Sequence, residues 1–197
     1  MSCSQSDSPG PLPARGRWIA QDLSLLPRDG NLYEVFDGSL SLIYGNDRAH
    51  FDAVWSLTML LAPFVWKSGL DIVLGPLPFR FSENCEVQPD IVVLPKAEAV
   101  DAQSPTPRRP PELIIEVATP YSARADYFTK RALYMRRRVK TYWILDLLKR
   151  EMTVWSSTNR KVARFSDAVV WWPLAARNAL HIDLTALFAG LPAFQYR

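Results

Sequence analysis

The sequence predicts an α/β or α+β sandwich built on a central mixed sheet flanked by helices, on three observations. Apolar residues recur at helical spacing around residues 50–64 and 123–138, and short runs of β-formers alternate with these stretches. The run Leu113-Ile-Ile-Glu-Val117 is apolar on both faces, as a central strand covered on both sides must be. Leu32 to Tyr44 reads as an N-terminal β-hairpin, because two runs of β-formers flank Asp37-Gly38, a dipeptide that tolerates the positive φ of a tight turn.

Taken in order, residues 1–17 are rich in Ser, Pro, Gly and Arg without hydrophobic period and read as a flexible tail. Residues 18–197 are expected to form one domain, since 197 residues suit one core and would be cramped as two. Trp18 to Leu26 suits a short helical turn stopped by Pro27. In the hairpin, alternation puts Leu32, Glu34 and Phe36 on one face, so an acid shares that face with apolar neighbours. Asp47 is placed to cap a helix on which His50, Val54, Leu57, Leu61 and Phe64 form one buried stripe. Leu70–Leu74 and Pro78–Phe81 read as a second hairpin turning at Gly75-Pro76. Glu83–Glu86 reads as a polar loop leading to the apolar run Ile91-Val-Val-Leu94. Ala99–Pro111 is proline-rich and reads as an exposed loop. After the 112–118 strand, Thr119-Pro120-Tyr-Ser122 turns into a helix over 123–138. Thr141–Leu147 and Met152–Ser156 suit strands, Val169–Trp172 another, and Leu184–Ala189 a short terminal helix.

Composition narrows the function classes. The net charge of +3 is mild and does not by itself select a polyanionic partner. Two cysteines, Cys3 in the tail and Cys85 in a predicted loop, provide no disulfide framework and no metal-ligand spacing. The N-terminus lacks a basic start followed by an apolar block. The longest apolar run, Trp55–Trp66, is interrupted by Pro63 and falls short of the ~18 residues of a membrane span. A cytoplasmic, reducing setting without a membrane partner is the expectation.

The candidate chemistry lies between Gln88 and Tyr134. Glu116 shares a strand face with Ile114, while Leu113, Ile115 and Val117 take the other. A carboxylate in such a place needs a cation or hydrogen-bond donors, or its pKa rises. Asp90, after Pro89, opens the next apolar run. If these strands are neighbours, both acids converge at one end of the sheet, and two carboxylates plus retained water suit Mg²⁺. Such a metal lowers the pKa of bound water and neutralises charge on a phosphoryl oxygen. On an α-helix Tyr127, Lys130 and Tyr134 form one stripe, which carries Lys130 toward the core. There the amine can steady the carboxylates, position water or stabilise a pentavalent phosphate. The plainer reading of Lys130 is an exposed i,i+4 pair with Asp126, contributing about 0.3–0.5 kcal/mol. For His50, satisfaction by a nearby polar group is the plainer reading than catalysis.

The order Tyr33-Glu34, Asp37-Gly38, His50, Pro89-Asp90, Glu116-Val-Ala-Thr-Pro120, Asp126, Lys130, Tyr134 and Tyr142-Trp-Ile-Leu-Asp146 resembles the Uma2 family. This is a group of bacterial proteins in the PD-(D/E)XK nuclease superfamily, and the resemblance covers roughly residues 32–157. It implies a restriction-endonuclease-like core and a metal-dependent endonuclease that hydrolyses DNA phosphodiesters. It also implies Asp90 and Glu116 as ligands of Mg²⁺ (or Mn²⁺). The superfamily's lysine usually stands two residues after the Glu, where this chain has Ala118. Uma2-like sequences take it from the following helix, which makes Lys130 the catalytic amine here. Glu34 matches an acidic position of the pattern and is implied as an additional ligand. One departure is Arg138-Val139, where the family often has Gly-Val. A left-handed turn residue is costlier without glycine, so a different local turn is expected.

Arg124, Arg131, Arg136, Arg137, Arg138 and Lys140 cluster on the site-bearing helix, with Arg108 and Arg109 in the proline-rich loop. This reads either as a surface for DNA or as a solvated helix end that suits the macrodipole. The main alternative to a nuclease is a non-catalytic nucleic-acid- or protein-binding module with the same fold. A glycosidase-type acid pair would leave the buried lysine unexplained. A homodimer is expected through an edge strand near Met152–Trp155 or through Trp171-Trp172.

Overall fold

The computed structural model describes residues 13, 16–28, 31–43, 48–96, 105–157 and 162–192. Most of the expected tail, with Cys3, lies outside the described residues, as do Tyr44, the Asp47 cap and the first part of the proline-rich loop. A 3-10 turn, Ala20–Leu25, precedes the antiparallel hairpin β1 (Leu32–Phe36) and β2 (Ser39–Ile43). Asp37 and Gly38 turn it with φ of 48° and 89°, the conformation that Asp-Gly favours. Then follow α1 (Arg48–Lys67), β3 (Leu70–Leu74), β4 (Phe79–Ser82), β5 (Cys85–Val87), β6 (Ile91–Pro95) and β7 (Leu113–Ala118). Helix α2 has a π-helical part, Ala125–Lys130, continuing as α-helix over Arg131–Arg136. The chain continues with β8 (Thr141–Asp146), β9 (Glu151–Ser156), β10 (Val162–Phe165), β11 (Ala168–Trp171), β12 (Leu180–Asp183) and α3 (Leu184–Ala189).

Strand β7 is the axis of a six-stranded mixed sheet ordered β10-β9-β8-β7-β6-β3. Every residue of β7 is buried, which explains its apolar run on both faces. Among the described residues only β7 and β8 run parallel, and α2 is the crossover that parallel neighbours require. One face carries Leu113, Ile115, Val117, Ile91 and Trp143, packed with Leu57, Leu61 and Val65 of α1 and with α3. The other carries Ile114, Ala118, Val92, Leu94 and Ile144, covered by Leu133 and Tyr134 of α2 and by Phe79, Cys85 and Val87 of a second sheet. That second sheet has the order β2-β1-β5-β4.

Several expectations are corrected. Leu70–Leu74 and Phe79–Ser82 do not form a hairpin: β3 edges the large sheet beside β6, and β4 pairs with β5 in the other. Gly75 is the reason the chain can change sheets there. Its N–H donates to the Asp90 carbonyl at 2.8 Å, and a Cβ on it would lie 2.6 Å from the Pro89 oxygen. The polar loop over 83–86 is a two-residue turn followed by β5, in which Cys85 is buried rather than in a loop. Glu86 is tolerated there because Arg80 Nη2 lies 2.6 Å from its Oε2. Strand β9 is not an edge, since β10 pairs with it, and Trp171 is buried. Two short strands, β10 and β12, are additional to those expected.

The expected helix around His50 runs unbroken through Pro63. Its outward side carries Phe51, Trp55, Met59 and Trp66, each more than half exposed. Among the described residues no helix is long and apolar enough to cross a membrane. The turn after α2 keeps its left-handed residue despite the missing glycine, contrary to expectation. Arg138 sits at φ 60°, and Val139 N–H donates to the Tyr134 carbonyl at 3.0 Å, closing a Schellman-type cap.

Candidate active site

Antiparallel pairing of β6 with β7 puts Ile91 opposite Ile115, so Asp90 and Glu116 stand opposite each other one step further on. Alternation turns both acids to the face that α2 covers. They line one pocket of about 290 Å³ together with His50, Gln88, Ser122, Asp126 and Lys130. Asp90 is held by one backbone amide and one side chain. Its Oδ2 accepts the Val117 N–H at 2.7 Å and lies 3.1 Å from His50 Nε2. The polar group that satisfies His50 is thus Asp90 itself, which brings the histidine to the site.

Glu116 is held by side chains instead. Tyr134 Oη donates to its Oε1 at 2.6 Å, and Lys130 Nζ lies 3.1 Å from the same oxygen. The ammonium also stands 3.5 Å from Glu34 Oε1 and 3.6 Å from Asp126 Oδ1. Glu34, buried on β1, accepts the Gln88 N–H at 2.7 Å and so anchors the segment leading into Asp90. All four expected residues, Asp90, Glu116, Lys130 and Glu34, come together.

Asp126 corrects the sequence reading. It does not form an exposed helix pair with Lys130: it is 1% exposed, and its Oδ1 has no hydrogen-bond partner. A π-helical turn begins there. Arg131 N–H reaches back five residues to the Asp126 carbonyl, which also accepts Tyr142 Oη at 3.0 Å. Residues four apart share a face on either kind of helix, so Asp126 keeps its place beside Lys130 and the wider turn moves the residue three before it. Tyr127 is displaced from the predicted stripe and donates to Asp146 Oδ2 at 3.1 Å instead. Tyr134, expected only as a core tyrosine, is a site donor. The hydroxyl of Tyr134 was on the predicted inward stripe, so periodicity found its direction but not its partner.

Four carboxylates therefore surround a single ammonium. Burial pushes the Glu116 carboxyl well above its ordinary range; Lys130 draws it down, and Asp90, Asp126 and Glu34 raise it again. Burial likewise pushes Asp126 up to about 6 against the pull of Lys130. For Lys130 burial opposes the charge, but Glu116, Glu34, Asp126 and Asp90 outweigh it and hold the ammonium well above its usual value. Burial and the neighbouring Glu116 raise Tyr134, so its hydroxyl stays a donor.

The donor set fits a hard divalent cation: carboxylate oxygens in excess of positive charge, opening on one pocket. Among the described residues no group of three His, Cys, Asp or Glu side chains is arranged to hold a metal ion. Two protein carboxylates with water completing the shell are what Mg²⁺ accepts, since it dehydrates reluctantly.

A search of solved structures finds a crystal structure of "a putative nuclease belonging to DUF820" from Anabaena variabilis ATCC 29413. The two share 17% sequence identity at a TM-score of 0.72, over 87% of this chain and 98% of that one. At that identity the likeness shows the fold, a mixed sheet flanked by helices. No curated protein matches. The profile of Uma2, described as "Putative restriction endonuclease", matches residues 20–181. With most of its length matched, the chain belongs to the Uma2 family.

Proposed function

We propose that residues 18–197 form one domain that hydrolyses DNA phosphodiesters as a metal-dependent endonuclease. The observation that carries this reading is the placement of Asp90 opposite Glu116, with Lys130 Nζ 3.1 Å from the latter, at one pocket. Asp90 and Glu116 are the residues that would hold Mg²⁺ or Mn²⁺. When bound, the metal supplies an acidified water and charge neutralisation at the phosphoryl group. In the reaction a water oxygen forms a new bond to phosphorus, one P–O ester bond breaks, and the proton shed by water ends on the leaving oxygen. Lys130 orients the attacking water and offsets charge on the phosphoryl oxygens from within the pocket. Tyr134 and the Val117 amide fix the two carboxylates so that little rearrangement accompanies the reaction. Glu34 acts as a positioning residue through Gln88 and Lys130.

The test is cleavage of supercoiled and single-stranded DNA with Mg²⁺ or Mn²⁺ by wild type, Asp90→Ala and Lys130→Ala. Loss of cleavage in both variants is expected, and unchanged activity in both removes the assignment. A second reading, a binding module that does not hydrolyse, is favoured by one fact: Lys130 Nζ lies 3.1, 3.5 and 3.6 Å from carboxylate oxygens of Glu116, Glu34 and Asp126 and offsets their charge itself. Calorimetry with Mn²⁺ separates the two, because a bound metal that Glu116→Gln leaves untouched belongs to that second reading.

DNA is the partner of this activity, in the reducing cytoplasm that the cysteines suit. A second copy of the chain is the other partner, through the outward side of α1 rather than through β9. Phe51, Trp55, Met59, Leu60 and Trp66 together expose apolar area on the order of 500 Å² per protomer, so pairing buries roughly 1,000 Å², the lower bound of a specific interface. Sedimentation of wild type against Trp55→Glu tests this, with a dimer that the charge splits as the expected outcome.

A further inference from the structure

A second concavity lies across α2 from the acid pocket. It has a volume of about 610 Å³, and its walls come from α2, the β8–β9 turn and β10. Four cations line it: Arg124, Arg131, Lys149 and Arg164. Two of these belong to no basic run of the sequence and are brought in by the fold. The groove holds one carboxylate of its own, Glu151, 3.7 Å from Arg164, while Asp146 anchors Lys149 at 2.7 Å. Positive charge therefore exceeds negative there, the reverse of the acid pocket.

The cations are laid on aromatic faces. Arg131 stands 5.9 Å from the Trp155 ring centre, and Lys149 stands 4.6 Å from that of Tyr127. Phe128, also in the wall, is 65% exposed. By contrast, the basic residues at the other end of α2 are occupied: Arg136 pairs with Asp37, Arg137 donates to Ser82, and Lys140 pairs with Glu112. A positively charged track beside an exposed aromatic ring is what a single nucleic-acid strand uses, phosphates on the cations and a base on the ring. A duplex keeps its bases stacked inside and gains nothing from Phe128.

We propose that this groove binds a single strand of nucleic acid, with Arg124, Arg131 and Arg164 on its phosphates and Phe128 stacked on a base. The groove is one helix width, ~10 Å, from the acid pocket. It uses Ala123 and Tyr127 where the pocket uses Ser122 and Asp126, so a strand leaving the pocket over the first turn of α2 enters it. The inference rests on the hydrolase reading for this purpose but not for the binding itself.

The experiment is fluorescence anisotropy in EDTA with the full-length protein, using labelled oligo-dU, oligo-U and a duplex of equal length over a range of salt. Tighter binding of a single strand than of the duplex is expected, and the tighter of the two oligonucleotides identifies the sugar. Phe128→Ala, a surface change, is expected to weaken single-strand binding about tenfold and leave duplex binding alone. The double variant Arg124→Gln/Arg164→Gln is expected to lower the salt slope by about 1.4, two contacts at ~0.7 each. Equal affinity for strand and duplex, or a Phe128→Ala variant that binds as wild type, overturns the proposal. Because no metal is present, loss of groove binding with cleavage intact sinks this inference alone. Cleavage absent with groove binding intact sinks the hydrolase reading alone.

Discussion

The two flanks of α2 are chemical opposites within a few residues of each other. Toward β6 and β7, Asp126 and Lys130 enter a buried pocket in which four carboxylates face one ammonium. Toward β9 and β10, Tyr127, Phe128 and Arg131 border an open groove where cations outnumber acids. The pocket is costly because its charges have lost water, and the groove is cheap because its charges have kept it. Stability should therefore be sensitive to the first flank and indifferent to the second, while binding of polyanions should show the reverse.

The largest expected effect is on the pocket side. Lys130→Met leaves buried acids without their cation and should lower unfolding free energy in urea by about 3–5 kcal/mol, with cleavage abolished. A variant as stable as wild type breaks the contrast. Next comes Asp126. Its folded pKa of about 6 lies above the ordinary carboxyl value of 3.8, so the native state binds the proton more tightly than the unfolded chain does. The stability this contributes is present below the unfolded pKa and is lost as pH rises through about 6, a loss of about 3 kcal/mol for that carboxyl. Asp126→Asn should flatten the stability profile between pH 4 and 6 and stabilise the protein at pH 7 by up to about 3 kcal/mol, since the shift already includes the pull of Lys130. Urea titrations across that range check it, and an unchanged slope assigns the pH dependence to another group.

Smaller effects mark the helix end and the groove. Arg138→Gly relieves a left-handed residue without touching either flank and should stabilise by about 1 kcal/mol, read as a raised Tm. Arg124→Gln with Arg164→Gln should change stability by less than about 0.5 kcal/mol, since neither side chain is buried. A larger loss would mean that the groove is structural and sharpen the case against a ligand there.

Much of this was legible in the sequence for reasons of period. Two-residue alternation placed Glu116 with Ile114 on one strand face, and the same rule carried Asp90 to the matching position on its neighbour. Asp37-Gly38 announced its turn by backbone preference alone. What stayed hidden depended on events beyond the local pattern. Reading 123–138 as an α-helix put Tyr127 in place of Asp126, because only the Tyr142 hydroxyl and the five-residue bond at Asp126 reveal the wider turn. The exchange of sheets at Gly75 was hidden because its cause, the Pro89 oxygen, is fourteen residues away. Strands β10 and β12 are four residues each, too short for alternation to speak clearly.

The wide turn of α2 has one more consequence. A helix bonded across five residues holds one more amino acid per coil than its neighbours, so it amounts to an insertion absorbed without lengthening the rod. Removing a single residue between Ala125 and Thr129 should let ordinary coiling resume while Lys130 and Tyr134 stay in phase with Glu116. Whatever preceded the excision would swing around the axis, and Asp126 would meet the amine from three residues away instead of four. The extra amino acid thus acts as a shim, setting the side from which that acid approaches the amine.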